Sequence, residues 1–238
     1  MFFRRRAVDI IAHIKTDFPT KFGVPRQSGL VESLHSKIIF EPEYRSPDCI
    51  KGLERFSHIW LLWEFSQAAQ KDFSPTVRPP RLGGNTRVGV FASRSPFRPN
   101  SIGLSCVRLE KIEYSKALGP VLCVSGADMT DGTPIIDIKP YLPYTDSRPD
   151  ALGGFADEVK DYSLRVDLPE ALTKGMTEEQ RTALTDILMQ DPRPSYHDDP
   201  ERIYGFGFAD YEIKFRVCGE VLTVTDIIKT DIKKPVDR

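Results

Sequence analysis

The chain has 238 residues and a formal net charge of -1, with 40% hydrophobic and 28% charged residues. That balance suits one large β domain, or one domain with a smaller appendage, and excludes a disordered or collagen-like chain. No apolar run approaches the roughly 18 residues a membrane helix needs. The opening MFFRRR lacks the apolar stretch of a secretory signal. The four scattered cysteines (Cys49, Cys106, Cys123, Cys218) have neither CxxC nor metal-ligand spacing. A cytoplasmic protein with no membrane segment and no metal is expected.

From Ala7 to Ile14 the residues are mostly apolar and β-prone, which predicts a strand. Lys15 to Gly29 follows as a long basic loop, stiffened by Pro19 and Pro25. It is either a ligand loop or a surface connection. Lys37 to Phe40 predicts a short strand. Within Ile50 to Ser66, the run IWLLWEF reads as a strand buried on both faces, although a short buried helix fits the same run. His58, just before it, reads as a hydrogen-bonded structural residue.

Val77 to Leu109 holds six arginines (Arg78, Arg81, Arg87, Arg94, Arg98, Arg108) and no lysine or acid. They alternate with glycine, proline, serine and asparagine, so the stretch predicts stiff loops between short strands, with guanidinium forks aimed at something anionic. Solvated or locally paired arginines are the plainer reading of any one of them. Arg87 to Phe91 and Ser101 to Ile112 are the strands. In the second, apolar residues fall on Ile102, Leu104 and Cys106 and then on Val107 and Leu109, a phase slip that predicts a bulge at a barrel corner. The intervening RSPFRPNS is held stiff by Pro96 and Pro99.

Val121 to Gly126 and Pro134 to Lys139 are further strands, joined by Asp128-Met129-Thr130-Asp131-Gly132-Thr133, where Asp-Gly is turn chemistry. After DIKPYLPY the texture changes. Ala151 to Phe155 reads as a linker, and Thr177 to Gln190 as a helix with a capping box at Thr177 and Gln180. Tyr204, Phe206 and Phe208, then Tyr211, Ile213, Phe215 and Val217, alternate as strands, with a hairpin turn at Gly219 leading into Val221 to Thr225. The expected organisation is mainly β: a barrel domain over residues 1–147 and a small α+β unit over 148–238. Arg193, Tyr196 and His197 in that tail either touch nucleic acid or only decorate a loop.

The chain lacks GxGxxG, GxxxxGK[ST], clustered Cys/His and GxSxG. The residues alone therefore point to an anionic ligand, nucleic acid or nucleotide, and supply no reaction.

KFGVPRQSGL, GLERFSHIWLLWEF, VRPPRLGGNTRVGVFASRSPFRPNSIGLS and DGTPIIDIKPYLPY, in that order and spacing, closely resemble the TsaA-like (TrmO) family. The tail segment QDPRPSY resembles its C-terminal portion. The resemblance implies a single-sheet β-barrel, a homodimer, and S-adenosylmethionine-dependent methylation of N6 of threonylcarbamoyladenosine at position 37, in the tRNA anticodon loop. It places cofactor contacts on Arg26, Gln27, Ser28, Gly29, Phe65, Ser66, Arg94, Leu104, Met129, Thr130, Asp131, Gly132 and Thr133. Ser66 stands where relatives often have histidine, and Ser101 where RPNP has proline. The acceptor nitrogen calls for a base, for which Asp131 and Asp137 are the candidates. Arg98 would meet the threonyl carboxylate, and Arg78, Arg81, Arg87 and Asn100 the tRNA. A tRNA-binding module without catalysis and a methyltransferase acting on a small molecule are the rival readings.

Overall fold

The computed structural model describes residues 8–67, 73–79, 82, 86–193 and 199–230. The architecture is mainly β. In chain order come β1 (Ala12–Lys15), β2 (His35–Phe40), β3 (His58–Glu64), the short β4 (Thr76–Val77) and β5 (Val88–Gly89), β6 (Ile102–Ser115), β7 (Gly119–Ser125) and β8 (Pro134–Pro140). Then follow the one-turn α1 (Pro143–Asp146), β9 (Arg165–Asp167), α2 (Glu178–Met189), β10 (Tyr204–Phe208), β11 (Tyr211–Cys218) and β12 (Val221–Lys229).

Strands β1, β2, β7, β6, β3 and β8 pair in that order, all antiparallel, and β8 returns to β1 through Ala12↔Ile135. Closure of this ring leaves no unpaired long edge. Its interior is filled by the alternate residues of each strand, among them Ile14, Ile38, Ile59, Leu61, Leu122 and Ile135, all fully buried. IWLLWEF is a strand and not a helix, but it buries only one face. Ile59, Leu61 and Trp63 point inward, while Trp60 and Leu62 are half-buried on the other side.

The slip expected between Cys106 and Val107 falls instead further along β6. Gly103, Ser105, Val107 and Leu109 are the buried set, and Ile102 and Leu104 face outward at 42% and 53% exposure. Trp63 explains the inversion. Its ring occupies the space a Cβ on Gly103 would need, and its Nε1 donates to Ser105 Oγ at 2.9 Å. A wide ring on β3 thus demands small residues opposite, and the apolar ones go outside. The register shift lies further on, between Leu109 and Lys111. The strand expected over Arg87 to Phe91 shrinks to Val88–Gly89, because Val90–Ala92 turns away as a single 3-10 turn.

A second sheet, β10-β11-β12-β9, covers α2, whose Ala183, Leu184, Ile187 and Leu188 form its buried stripe. The capping box at Thr177 and Gln180 is present. β9 lies parallel to β12 and has three residues, too few to carry a readable period. This second core also takes in Phe18, Val31 and Leu34, which belong to the loop between β1 and β2. That loop therefore starts and ends in the ring but buries its apolar residues in the other core.

Candidate active-site cleft

A cleft of about 720 Å³ opens where the ends of β3 and β6 meet the loops after β1, β5 and β7. It brings together Arg26 and Gln27 from the first loop, Phe65 and Ser66 just past β3, Arg94, Arg98 and Asn100 from the second, Leu104 from β6, and Met129, Thr130 and Thr133 from the third. Residues distant in sequence meet here only because β3 and β6 are register neighbours, with Leu62 opposite Leu104. Trp63 and Phe65 stand with ring centroids 4.2 Å apart and make an aromatic wall.

The loop after β1 is fixed at many points. Thr16 N donates to Asp131 Oδ1 at 3.0 Å, Asp131 N donates to Phe18 O at 2.8 Å, and Gly29 N donates to Gly126 O at 2.9 Å. Ser28 Oγ accepts from Cys106 N at 3.1 Å. Arg26 reaches the other way, and its Nη2 donates to the carbonyls of Asp191 and Arg193 at 2.9 and 3.1 Å. Those carbonyls belong to a buried knot in which Asp191, at φ 50, receives Arg193 Nε and the Tyr162 hydroxyl. Gln27 faces the cleft and accepts from Arg94 Nη1 across it.

The cleft's lining includes two carboxylates, on Glu64 and Asp128. Glu64 is exposed at the end of β3. Asp128 is partly buried at the start of the third loop, and its Oδ1 accepts from the Ser105 hydroxyl, which in turn accepts from Trp63 Nε1. Burial pushes the Asp128 carboxyl above its ordinary range, while the Ser105 hydroxyl, backbone N–H groups and the Arg94 charge pull it back. Sequence reading passed over Asp128, which looks like another residue of an Asp-rich turn. Its signal is Ser105, a polar residue at an inward position of a strand, which needs a buried partner.

The other expected site residues lie as follows. Asp131 is outside the cleft's lining, with Oδ1 on Thr16 N and Oδ2 3.8 Å from Lys15 Nζ. Asp137 is outside it too, bonded to Ile138 N and 2.9 Å from Lys139 Nζ. Both candidate bases thus have their carboxylates taken up by structural partners. Ser28, Gly29 and Gly132 are not part of the lining; Ser28 is half-buried and the two glycines are exposed. Arg98 donates to Ser93 O at 3.1 Å while lining the cleft. Arg78 and Arg87 are exposed away from it, and Arg87 donates to Thr76 Oγ1 at 3.1 Å. Arg81, Tyr196 and His197 lie outside the described residues. His58 bonds Ser57 Oγ at 2.9 Å beside Tyr141, away from the cleft. Among the described residues there is no His/Cys/Asp/Glu cluster able to hold a metal, and no helix long and apolar enough to cross a membrane.

Comparison with known proteins fits this arrangement. Residues 13–147 match the family model of the tRNA-methyltransferase O N-terminal domain, and residues 161–230 match that of the TrmO C-terminal domain. A tRNA (adenine(37)-N6)-methyltransferase of Escherichia coli is 40% identical over 215 residues, covering 87% of this chain and 91% of the relative. Another of that name from Eikenella corrodens is 46% identical over 163 residues, 68% of this chain and 91% of the relative. Two crystal structures of TrmO from Pseudomonas aeruginosa align with TM-scores of 0.77 and 0.75 at 32% identity, covering 96% and 94% of this chain and 99% of each of theirs. With both family models matched and the same fold along nearly its whole length, the chain belongs to the tRNA-methyltransferase O family.

Proposed function

We propose that the chain is an S-adenosylmethionine-dependent tRNA methyltransferase acting on N6 of adenine 37, and that its acceptor is the threonylcarbamoyl form of that base in the anticodon loop. The observation that carries the reading is the cleft's mixed lining: an aromatic wall, a partly buried carboxylate and an arginine around about 720 Å³. That volume suits a nucleoside-sized ligand. Trp63 and Phe65 suit a sulfonium cation, and Arg94 suits a carboxylate. S-adenosylmethionine supplies an electrophilic methyl group on such a sulfur. The chain's own part is to hold that methyl in line with the acceptor nitrogen, the largest source of rate in a direct transfer.

On this reading Arg26, Gln27, Ser28 and Gly29 form the cofactor loop, with Gln27 oriented by Arg94. The Met129–Thr133 turn backs it. Phe97, 43% exposed on the rim, is placed to stack on an unpaired base. Arg98 takes the threonyl carboxylate, and Arg78, Arg81, Arg87 and Asn100 the tRNA. The ring is read as a single-sheet barrel and the working form as a cytoplasmic homodimer. The outward Ile102 and Leu104, which adjoin the cleft, support the dimer.

The test is methyl transfer from labelled S-adenosylmethionine to two tRNA pools, one carrying threonylcarbamoyladenosine and one lacking it. Label in the modified pool alone is expected. Equal label in both discards the threonylcarbamoyl acceptor, and label in neither, with cofactor bound, discards tRNA as substrate.

A further inference from the structure

We infer that Asp128 is the proton acceptor of the methyl transfer, held in place by Ser105 and Trp63. This rests on the methyltransferase reading above and adds to it the residue that does the acid–base work. Asp128 lines the cleft, whereas the carboxylates of Asp131 and Asp137 do not. Glu64, the other carboxylate in the lining, is exposed, so water screens it, and no side-chain hydrogen bond aims it among the described residues.

The relay behind Asp128 fixes its direction. Ser105 is fully buried and sits between a donor and an acceptor, taking the Trp63 Nε1 proton at 2.9 Å and giving its own to Asp128 Oδ1. A hydroxyl held at both ends cannot rotate freely, so the carboxylate cannot swing away without orphaning the buried Ser105 hydroxyl proton. The proton balance is simple. The N6 lone pair bonds to the methyl carbon, the methyl–sulfur pair returns to sulfur, and the N6 proton passes to the Asp128 carboxylate. The acceptor nitrogen is conjugated to the purine and to a carbonyl, so its lone pair becomes nucleophilic as the proton leaves.

Desolvation raises the basicity of the carboxylate, and the Ser105 hydroxyl limits that rise. Arg94, on the loop after β5, is the charged group acting on it. Ser105 on β6 and Ser28 on the loop after β1 face it as uncharged neighbours.

The test compares the full-length chain with Asp128→Asn and Ser105→Ala, using single-turnover transfer to modified tRNA at saturating cofactor, cofactor Kd by calorimetry, and NMR titration of the Asp128 carboxyl in the free protein. Asp128→Asn should lose roughly a hundredfold or more in transfer rate, the range of general base catalysis, with cofactor Kd changed by less than about threefold. Ser105→Ala removes a bond to the charged form, so the carboxyl should titrate higher and the acid limb of the pH–rate profile should move up with it. A transfer rate within about fivefold of wild type in Asp128→Asn overturns the assignment. So does a defect that appears only as lost cofactor affinity, which makes Asp128 a counter-charge. If the wild-type chain transfers no methyl to either tRNA pool, the methyltransferase reading falls and the assignment falls with it.

Discussion

The loop spanning residues 16–34 and the loop spanning residues 93–101 wall the same cleft and meet through Arg94 and Gln27, yet they are held by opposite means. The second is tied almost wholly to itself. Ser93 Oγ bonds Val90 O, Ser95 N bonds Ser93 Oγ, Phe97 N bonds Ser95 Oγ, and Arg98 closes back on Ser93 O. The first is tied to distant segments. It buries Phe18, Val31 and Leu34 in the second core, anchors Arg26 on the Asp191–Arg193 carbonyls, and receives Ala209 N on Asp17 O at 2.8 Å. A self-contained loop keeps its shape when its surroundings change. A borrowed one keeps its shape only while its lender stays docked. The arginine loop should therefore tolerate damage to the tail, and the proposed cofactor loop should not.

Gly23→Ala should break this contrast most visibly. Gly23 sits at φ +93, and an added Cβ would run into the Phe206 ring of β10. Backbone strain and overpacking together should cost about 3 kcal/mol. Urea unfolding should report that loss, and calorimetry should find cofactor binding lost with it, because the substitution parts the loop from the second core. Arg26→Ala comes next. Its two bonds to buried carbonyls are worth about 2 kcal/mol, and Tm and cofactor affinity should fall together. If Tm falls while cofactor affinity holds, the tether does not set the loop's binding shape.

Arg98→Ala lies on the self-contained side and should leave Tm nearly unchanged. Its effect should appear as a roughly tenfold fall in kcat/KM on threonylcarbamoyl-modified tRNA, about the weight of one charge-assisted hydrogen bond. Equal losses on modified and unmodified tRNA would remove it as the carboxylate partner. The smallest effect belongs to neither loop. On the ring, hydrogen bonds from Lys111 and Lys37 hold the exposed Glu113 carboxyl down to about 2 from an ordinary 4.5. Its contribution is present above pH 4.5 and is lost as pH falls through about 2. Glu113→Gln should slightly flatten Tm against pH in that window and leave the cofactor loop untouched.

The ring strands were legible because inward residues alternate with outward ones, and α2 because its cap and stripe coincide. Misreading came where one side chain dictates its neighbours across strands. Ile102 and Leu104 look like core residues until Trp63 is placed opposite Gly103 with its Nε1 on Ser105. The motif residues of the cleft could be named from resemblance, and Arg26, Gln27, Phe65, Ser66, Arg94 and Leu104 do converge. The tether from Arg26 to residues 165 positions or more away could not be read, since nothing local marks it. Nor could Asp128, whose importance depends on a serine from another strand.

The loan of the cofactor loop to the second core has a consequence for how the protein is made. During synthesis the ring's strands leave the ribosome before β10, β11 and β12 exist. Until those last strands emerge, Phe18, Val31 and Leu34 have no core to enter, and Arg26 has no carbonyls to grip. A chain ending before β10 is therefore expected to close its ring but to bind cofactor more weakly, even though most of the cleft's lining precedes the cut; calorimetry on that truncation against the full chain checks it.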